Sequence, residues 1–210
     1  MENSSIHRYY SNLAERIKTP LETRNKSLDF TDFDVEFVRR YSNINYSLLD
    51  LGSGTGLLVN RLIKDFQRII AVEKYIEFSN FILKSDKIEI INADLLNFEI
   101  IDKFNIVTIF GVMNFFSSSE AESIYKKIFD WICPNGKLII KNQFGLFEDV
   151  VVSGFSEELG TEYFSNYRYL HSELNLLKSL GYRNIEYFDI YPKEYNRWSN
   201  THFYTIVCEK

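Results

Sequence analysis

The sequence predicts an α/β chain built on a mostly parallel sheet, and three observations lead there. Apolar, β-branched runs recur along the chain, separated by segments whose apolar residues follow helical spacing. The first run, Leu48-Leu49-Asp50-Leu51, opens into Gly52-Ser53-Gly54-Thr55-Gly56, which has no side chain at every second position. The next run ends one helix later in an acid, Glu73. A buried strand, a glycine turn and a helix in that order bring backbone N–H groups close to a nucleotide-like ligand. Glycine removes the Cβ atoms that would block the approach. Strands alternating with helices place the helices on both faces of a parallel sheet.

Residues 1–45 form a predicted helical cap, with helices over 5–18 and 31–41 separated by a segment containing Pro20. Thr31 with Asp34 reads as an N-cap pair, and Phe33, Phe37 and Val38 give an apolar face. The cap is expected to lie over the ligand. Tyr9 and Tyr10 either pack on that ligand or belong to an ordinary amphipathic helix. Residues 46–142 form the core: its strands end at Gly52, Glu73, Asp94, Asn114 and Asn142 with Gln143. Helices are expected over 56–65, 75–85 and 118–132, the last with Ile124, Ile128, Phe129 and Ile132 on one side. The turn Cys133-Pro134-Asn135-Gly136 leads into the fifth strand. Residues 143–210 form the substrate-side segment. They continue an irregular, aromatic-rich stretch running from 142 to 167, then a helix over 171–180 and two strands over 184–191 and 201–208.

A length of 210 residues suits one domain spanning 1–210. No run of 18 or more apolar residues is present, so no membrane helix is expected. The N-terminus lacks a basic region followed by an apolar core, so no signal peptide is expected and the cytoplasm is the expected location. A net charge of −5 weighs against DNA or RNA as substrate, while a small phosphorylated molecule stays admissible. Cys133 and Cys208 read as small core residues, and without a CxxC, a suitably spaced His or an acidic cluster no metal is expected.

The G-x-G-x-G spacing after Asp50 differs from the G-x-G-x-x-G of dinucleotide-binding folds. Together with Glu73, Asp94-Leu95 and the 133–136 turn, it resembles the class I S-adenosylmethionine-dependent methyltransferases over roughly residues 46–142. The resemblance implies a Rossmann-like seven-stranded sheet whose last strand inserts antiparallel between the fifth and sixth. It implies S-adenosyl-L-methionine as cofactor, with S-adenosyl-L-homocysteine as product. Asp50, Gly52, Ser53, Gly54, Gly56, Glu73, Lys74, Asp94, Leu95 and Phe110 would bind it. Glu73 would accept hydrogen bonds from the ribose hydroxyls. Asp94 would meet the adenine amino group and the Leu95 N–H a ring nitrogen; Asp94 also reads as a plain helix cap, and both roles are compatible. The end of the fourth strand lacks the Asn/Asp-Pro-Pro-aromatic motif, which disfavours methylation of exocyclic base amines. The block from Lys141 to His202 resembles small bacterial methyltransferases of surface (capsular) polysaccharide biosynthesis. That implies O-methylation of a small, nucleotide-linked or carbohydrate-linked acceptor, at a sugar hydroxyl or a phosphoramidate.

Ligands in open α/β sheets bind beyond the carboxyl ends of the parallel strands. An antiparallel last strand begins on that same edge, which brings His202 and the loop carrying Trp198 there. His202 is the first choice for a catalytic base because its pKa lies near neutrality; a hydrogen-bonded structural histidine is the alternative. Gln143 and Asp149 are the other catalytic candidates, able to orient an acceptor hydroxyl or take its proton, against the alternative of a polar capping loop. Asn114, Asn142, Tyr167, Arg168 and Trp198 are candidate substrate contacts, with Tyr191, Tyr195 and Arg197 nearby in character. Aromatics stack on sugar faces and Arg pairs with oxyanions, although tyrosines also fill cores. The implied chemistry is in-line displacement at a sulfonium methyl, which asks the enzyme to align the acceptor, exclude water and remove a proton. Two other readings stand beside it. One is an NAD-dependent oxidoreductase, disfavoured by the glycine spacing and by the lack of a Tyr-x-x-x-Lys. The other is a noncatalytic S-adenosylmethionine-binding protein or partner subunit.

Overall fold

Seven strands form one sheet in the order β3-β2-β1-β4-β5-β9-β8 in a computed structural model that describes residues 3–24, 29–156, 161–193 and 198–210. The strands are β1 (Ser47–Leu51), β2 (Arg68–Glu73), β3 (Ile88–Asn92), β4 (Phe104–Phe110), β5 (Ile132–Gly145), β8 (Arg183–Phe188) and β9 (Thr201–Glu209). β1 to β5 pair in parallel, and β9 runs antiparallel between β5 and β8. This is the Rossmann-like topology the sequence predicts. The reversal of strand order at β1 and β4 opens a crevice at the carboxyl ends of those strands, where such sheets bind ligands.

Alternation along the strands sends successive side chains to opposite faces. Leu49, Leu51, Val107, Ile109, Leu138 and Ile140 meet α5 (Ser118–Trp131) and α6 (Leu170–Ser179) on one face. Leu48, Ile69, Ala71, Ile106 and Ile139 meet α2 (Thr31–Arg39) and α3 (Val59–Leu62) on the other. Helix α5 starts at Ser117, whose hydroxyl accepts from the Glu120 N–H while Glu120 Oε2 accepts from the Ser117 N–H, a reciprocal capping box. A further helix, α1 (Asn3–Arg16), packs against α4 (Ile76–Ser79) and the second strand of a hairpin, β6 (Val150–Ser156) and β7 (Thr161–Tyr167).

Several expectations are corrected. The helices expected over 56–65 and 75–85 shrink to the single turns α3 and α4. The Asn60 amide accounts for the shorter second one, since it donates to Phe81 O and accepts from Leu83 N, bonding that replaces helical continuation. Thr31 and Asp34 form no N-cap pair: the N-cap is Phe30, the Thr31 N–H donates to Asp29 Oδ1 at 3.0 Å, and Asp34 turns inward. The stretch 142–167 is not irregular. β9 pairs with β5 as far as Gly145↔Thr201, which extends that strand, and Val150-Val151-Val152 opens the hairpin. Cys208 is buried but Cys133 only half so.

Candidate active site

A cavity lies beyond the carboxyl ends of β1, β2 and β4, walled by the glycine turn, Glu73, Asp94, Leu95 and Phe110. The glycine turn is held from below: the Gly52 and Ser53 N–H groups donate to Val72 O at 2.8 and 2.9 Å. Gly52 sits at φ +73°, and a Cβ there would run into Val112. Gly54 is also left-handed, at φ +54°, but a Cβ there would meet nothing within 4 Å. A side chain at Gly54 would therefore project into free space beside the backbone rather than into packed protein. That is the arrangement needed where a ligand must touch the main chain.

Glu73 ties the turn to β2. Its Oε2 accepts from the Gly54 N–H at 2.8 Å and its Oε1 from the Tyr75 N–H at 2.9 Å. A carboxylate offers about four lone-pair sites, so capacity remains for hydroxyl donors from a ligand. Burial raises the Glu73 pKa, with the backbone hydrogen bonds opposing. Burial likewise raises Asp50, which accepts from Thr108 Oγ1 at 2.6 Å across β1 and β4. At the β3 end, Lys74 Nζ donates to Asp94 Oδ2 at 2.8 Å while Asp94 Oδ1 accepts from the Leu96 N–H at 3.0 Å. No helix follows Asp94: its carboxylate closes a turn over residues 94–97 while lining the cavity wall.

Asp50, Gly52, Ser53, Gly54, Glu73, Lys74, Asp94, Leu95 and Phe110 all line the cavity. Gly56 does not: it packs under the turn, where a Cβ would come within 2.7 Å of Ile82. The candidate catalytic and substrate residues are not among those that line this wall. His202 Nε2 stands 2.9 Å from Asp189 Oδ2 in an off-line approach that closes no hydrogen bond, and its ring lies 4.5 Å from that of Tyr204. Gln143 donates to Thr201 Oγ1 at 2.7 Å, and Asp149 Oδ1 accepts from the Tyr169 N–H at 2.6 Å ahead of α6. Asn114 donates to Ser165 Oγ at 2.9 Å, Tyr167 and Trp198 form a ring pair, and Arg168 is locked to Glu173. Asn142 is buried on β5, and its Oδ1 has no hydrogen-bond partner among the described residues. Tyr195 and Arg197 lie outside the described residues. Conversely, Thr23, Arg24, Phe115 and Phe116 line the cavity without belonging to any motif, and Tyr10 of α1 reaches it too. Among the described residues no group of three or more His, Cys, Asp or Glu side chains is arranged to hold a metal.

Residues 48–136 match the family model described as a methyltransferase domain. The fold is that of the class I S-adenosylmethionine-dependent methyltransferases. Solved structures with this fold include a DhpI-SAM-HEP complex, 16% identical, covering all of this chain and 98% of that one with a TM-score of 0.74. Phosphoethanolamine N-methyltransferase 1 of Haemonchus contortus, in complex with phosphoethanolamine and S-adenosylhomocysteine, is 14% identical; the match covers all of this chain and 49% of that one, with a TM-score of 0.73. The [4+2]-cyclase SpnF is also 14% identical, over 85% of this chain and 81% of that one, with a TM-score of 0.69. No curated protein sequence matches the chain significantly. No helix among the described residues is long and apolar enough to cross a membrane.

Proposed function

We propose that this protein is an S-adenosylmethionine-dependent methyltransferase acting on a small acceptor. The observation that carries the reading is the cradle at Gly54: backbone bared to a cavity whose wall also holds Glu73 and Asp94. The donor set fits the cofactor. Gly52 to Gly54 present main chain, Glu73 has acceptor sites left for the ribose hydroxyls, and Asp94 with Leu95 faces the base. Leu95 and Phe110 supply apolar walls that exclude water, while Asp50 and Glu73 supply carboxylates where a cationic group would sit. The bound cofactor supplies an electrophilic methyl carbon on a sulfonium leaving group.

Within this reading the acceptor is a small nucleotide-linked or carbohydrate-linked molecule methylated on oxygen, at a sugar hydroxyl or a phosphoramidate, in capsular polysaccharide biosynthesis in the cytoplasm. The protein works as one domain over residues 1–210. The resemblance of the block from Lys141 to His202 to methyltransferases of surface polysaccharide biosynthesis supports the narrower acceptor, and a fold neighbour crystallised with phosphoethanolamine supports a small phosphorylated one. Acceptor contacts are drawn from Asn114, Asn142, Tyr167, Arg168 and Trp198. His202 and Asp149 serve as proton acceptors, and Gln143 as an amide that orients the acceptor, only on leaving the groups they stand beside here.

A second reading, cofactor binding without methyl transfer, is favoured by one observation: a [4+2]-cyclase shares the fold, so fold alone does not assign the chemistry. Calorimetric titration of the purified protein with S-adenosylmethionine, S-adenosylhomocysteine and NAD tests the cofactor. Binding of the first two without NAD is expected, and a preference for NAD overturns the reading. Turnover on sugar, nucleotide-sugar and phosphoramidate acceptors then separates transfer from binding alone.

A further inference from the structure

We infer that Arg168 and Ser165 are positioning residues for the cofactor cavity, holding from behind the turn whose Phe115 and Phe116 form part of its wall. The inference rests on the reading above and narrows it: Arg168 and Asn114 serve the wall, which leaves Asn142, Tyr167 and Trp198 for the acceptor.

The wall beyond β4 is a short piece of chain with little to hold its own shape. Gly111, Val112, Phe115 and Phe116 line the cavity, and a single 3₁₀ turn, Met113–Phe115, runs between them. Its own bonds join the Phe115 N–H to Val112 O at 3.1 Å and the Phe116 N–H to Met113 O at 3.3 Å. One such turn is not stable by itself. Ties from outside come from residues 165–168. Arg168 Nη1 donates to Met113 O at 2.8 Å and to Phe116 O at 3.3 Å, two carbonyls on either side of Asn114 and Phe115. Asn114 in turn donates to Ser165 Oγ at 2.9 Å, and both side chains are buried. Met113 O serves its own turn and the guanidinium at once, which its two lone pairs allow.

Arg168 is fixed in the pose this requires. Nε and Nη2 are spent on the two oxygens of Glu173, and a planar guanidinium held at two corners presents the third in one direction. The side chain is 6% exposed and does not line the cavity, so it acts on a ligand only through Phe115 and Phe116. The same strand supports the wall from its other side. β7 packs against α1, and Tyr10 of α1 lines the cavity with its ring edge-on to Phe115 at 5.4 Å and to Phe78 at 6.2 Å. Phe115 thus sits between α1 and the 3₁₀ turn, and both rest on β7. Through Tyr10 it also reaches α4, which follows Glu73, the acid assigned to the ribose; the braced wall therefore faces the adenosine. Arg168 and Ser165 lie beyond residues 48–136, so this brace is an addition to the part of the chain that matches the family model.

The test separates bracing of the wall from bracing of the fold. Arg168→Lys keeps a cation beside Glu173 but has no second arm for the Met113 and Phe116 carbonyls. Tyr125→Phe loosens the same buried cluster, since Tyr125 OH donates to Glu173 Oε1, yet it leaves Nη1 on the turn. Urea denaturation gives the stability of each variant. Calorimetry on the full chain gives its affinity for S-adenosylhomocysteine and for 5′-methylthioadenosine, which share the adenosine. Arg168→Lys is expected to weaken both ligands by about tenfold, whereas Tyr125→Phe leaves both within about twofold despite its own loss of stability. Ser165→Ala removes one tie without touching the ion pair and should weaken both by about threefold; it carries the test alone if Arg168→Lys does not fold. Unchanged affinity in these two variants overturns the inference, and so does an affinity loss that tracks stability across all three. A loss confined to S-adenosylhomocysteine overturns it too, because the wall would then not face the adenosine. Wild-type protein that binds neither thioether overturns the methyltransferase reading itself.

Discussion

Two buried clusters, one on each face of the sheet, use the same three ingredients to different ends. On the α5 and α6 face, Arg168 donates from Nε and Nη2 to the two oxygens of Glu173, each at 2.7 Å, and from Nη1 to Met113 O at 2.8 Å, while Tyr125 OH closes on Glu173 Oε1 at 2.5 Å. Every polar group there has a partner, and the cluster clamps the turn after β4 to α5 and α6. On the α2 face, Asp34, Lys141 and Tyr191 satisfy one another, and a second cation, Arg24, stays loosely paired at the cavity edge. A carboxylate, a cation and a tyrosine therefore make either a closed clamp or an open one. What separates them is whether a donor is left over where a ligand can reach it.

The largest effect is expected for Arg168→Met, which leaves Glu173 as an unpaired buried charge and frees two carbonyls. Urea denaturation should show a loss of about 3–5 kcal/mol. Lys141→Met should cost less, about 1–3 kcal/mol, because Arg24 can close on Asp34 in its place. Equal stability losses in the two variants would break the comparison, since they would mean that Arg24 is no spare cation. Glu73→Ala sharpens it from the cavity side. Glu73 is held by main-chain amides rather than by a cation, so its removal is expected to weaken cofactor binding by about 1–3 kcal/mol in a titration. The smallest effect is expected for His202→Ala. Its half-exposed partner Asp189 gives a pair worth less than about 1 kcal/mol of stability. A fall in kcat of about a hundredfold at unchanged cofactor affinity would instead mark His202 as a proton acceptor that moves into the cavity during turnover.

The cofactor side was legible in the sequence because its requirements are local. Gly52 and Gly54 need left-handed backbone, Glu73 must end a strand, and Asp94 must follow one; each condition is met within a few residues of chain. The helix over 75–85 was over-read because apolar spacing continues past the point where the Asn60 amide takes over the backbone groups of Phe81 and Leu83. Residues 142–167 were under-read because pairing with β9, remote in sequence, is what extends β5 to Gly145. On the acceptor side, strand-end position alone suggested His202 and Gln143. Residue type and position do not reveal that Asp189 and Thr201 already stand beside those two side chains.

By itself the sequence determined the strand-and-helix order over residues 46–142, the glycine turn and the acids at the strand ends, because period, turn chemistry and glycine freedom act over a handful of neighbouring bonds. Only the tertiary structure decided which polar side chains consume one another. The Asp34–Lys141 contact spans 107 residues and the Asp34–Tyr191 contact 157. A hydrogen bond is made or lost over a fraction of an ångström that only the packing of α2 against the sheet sets.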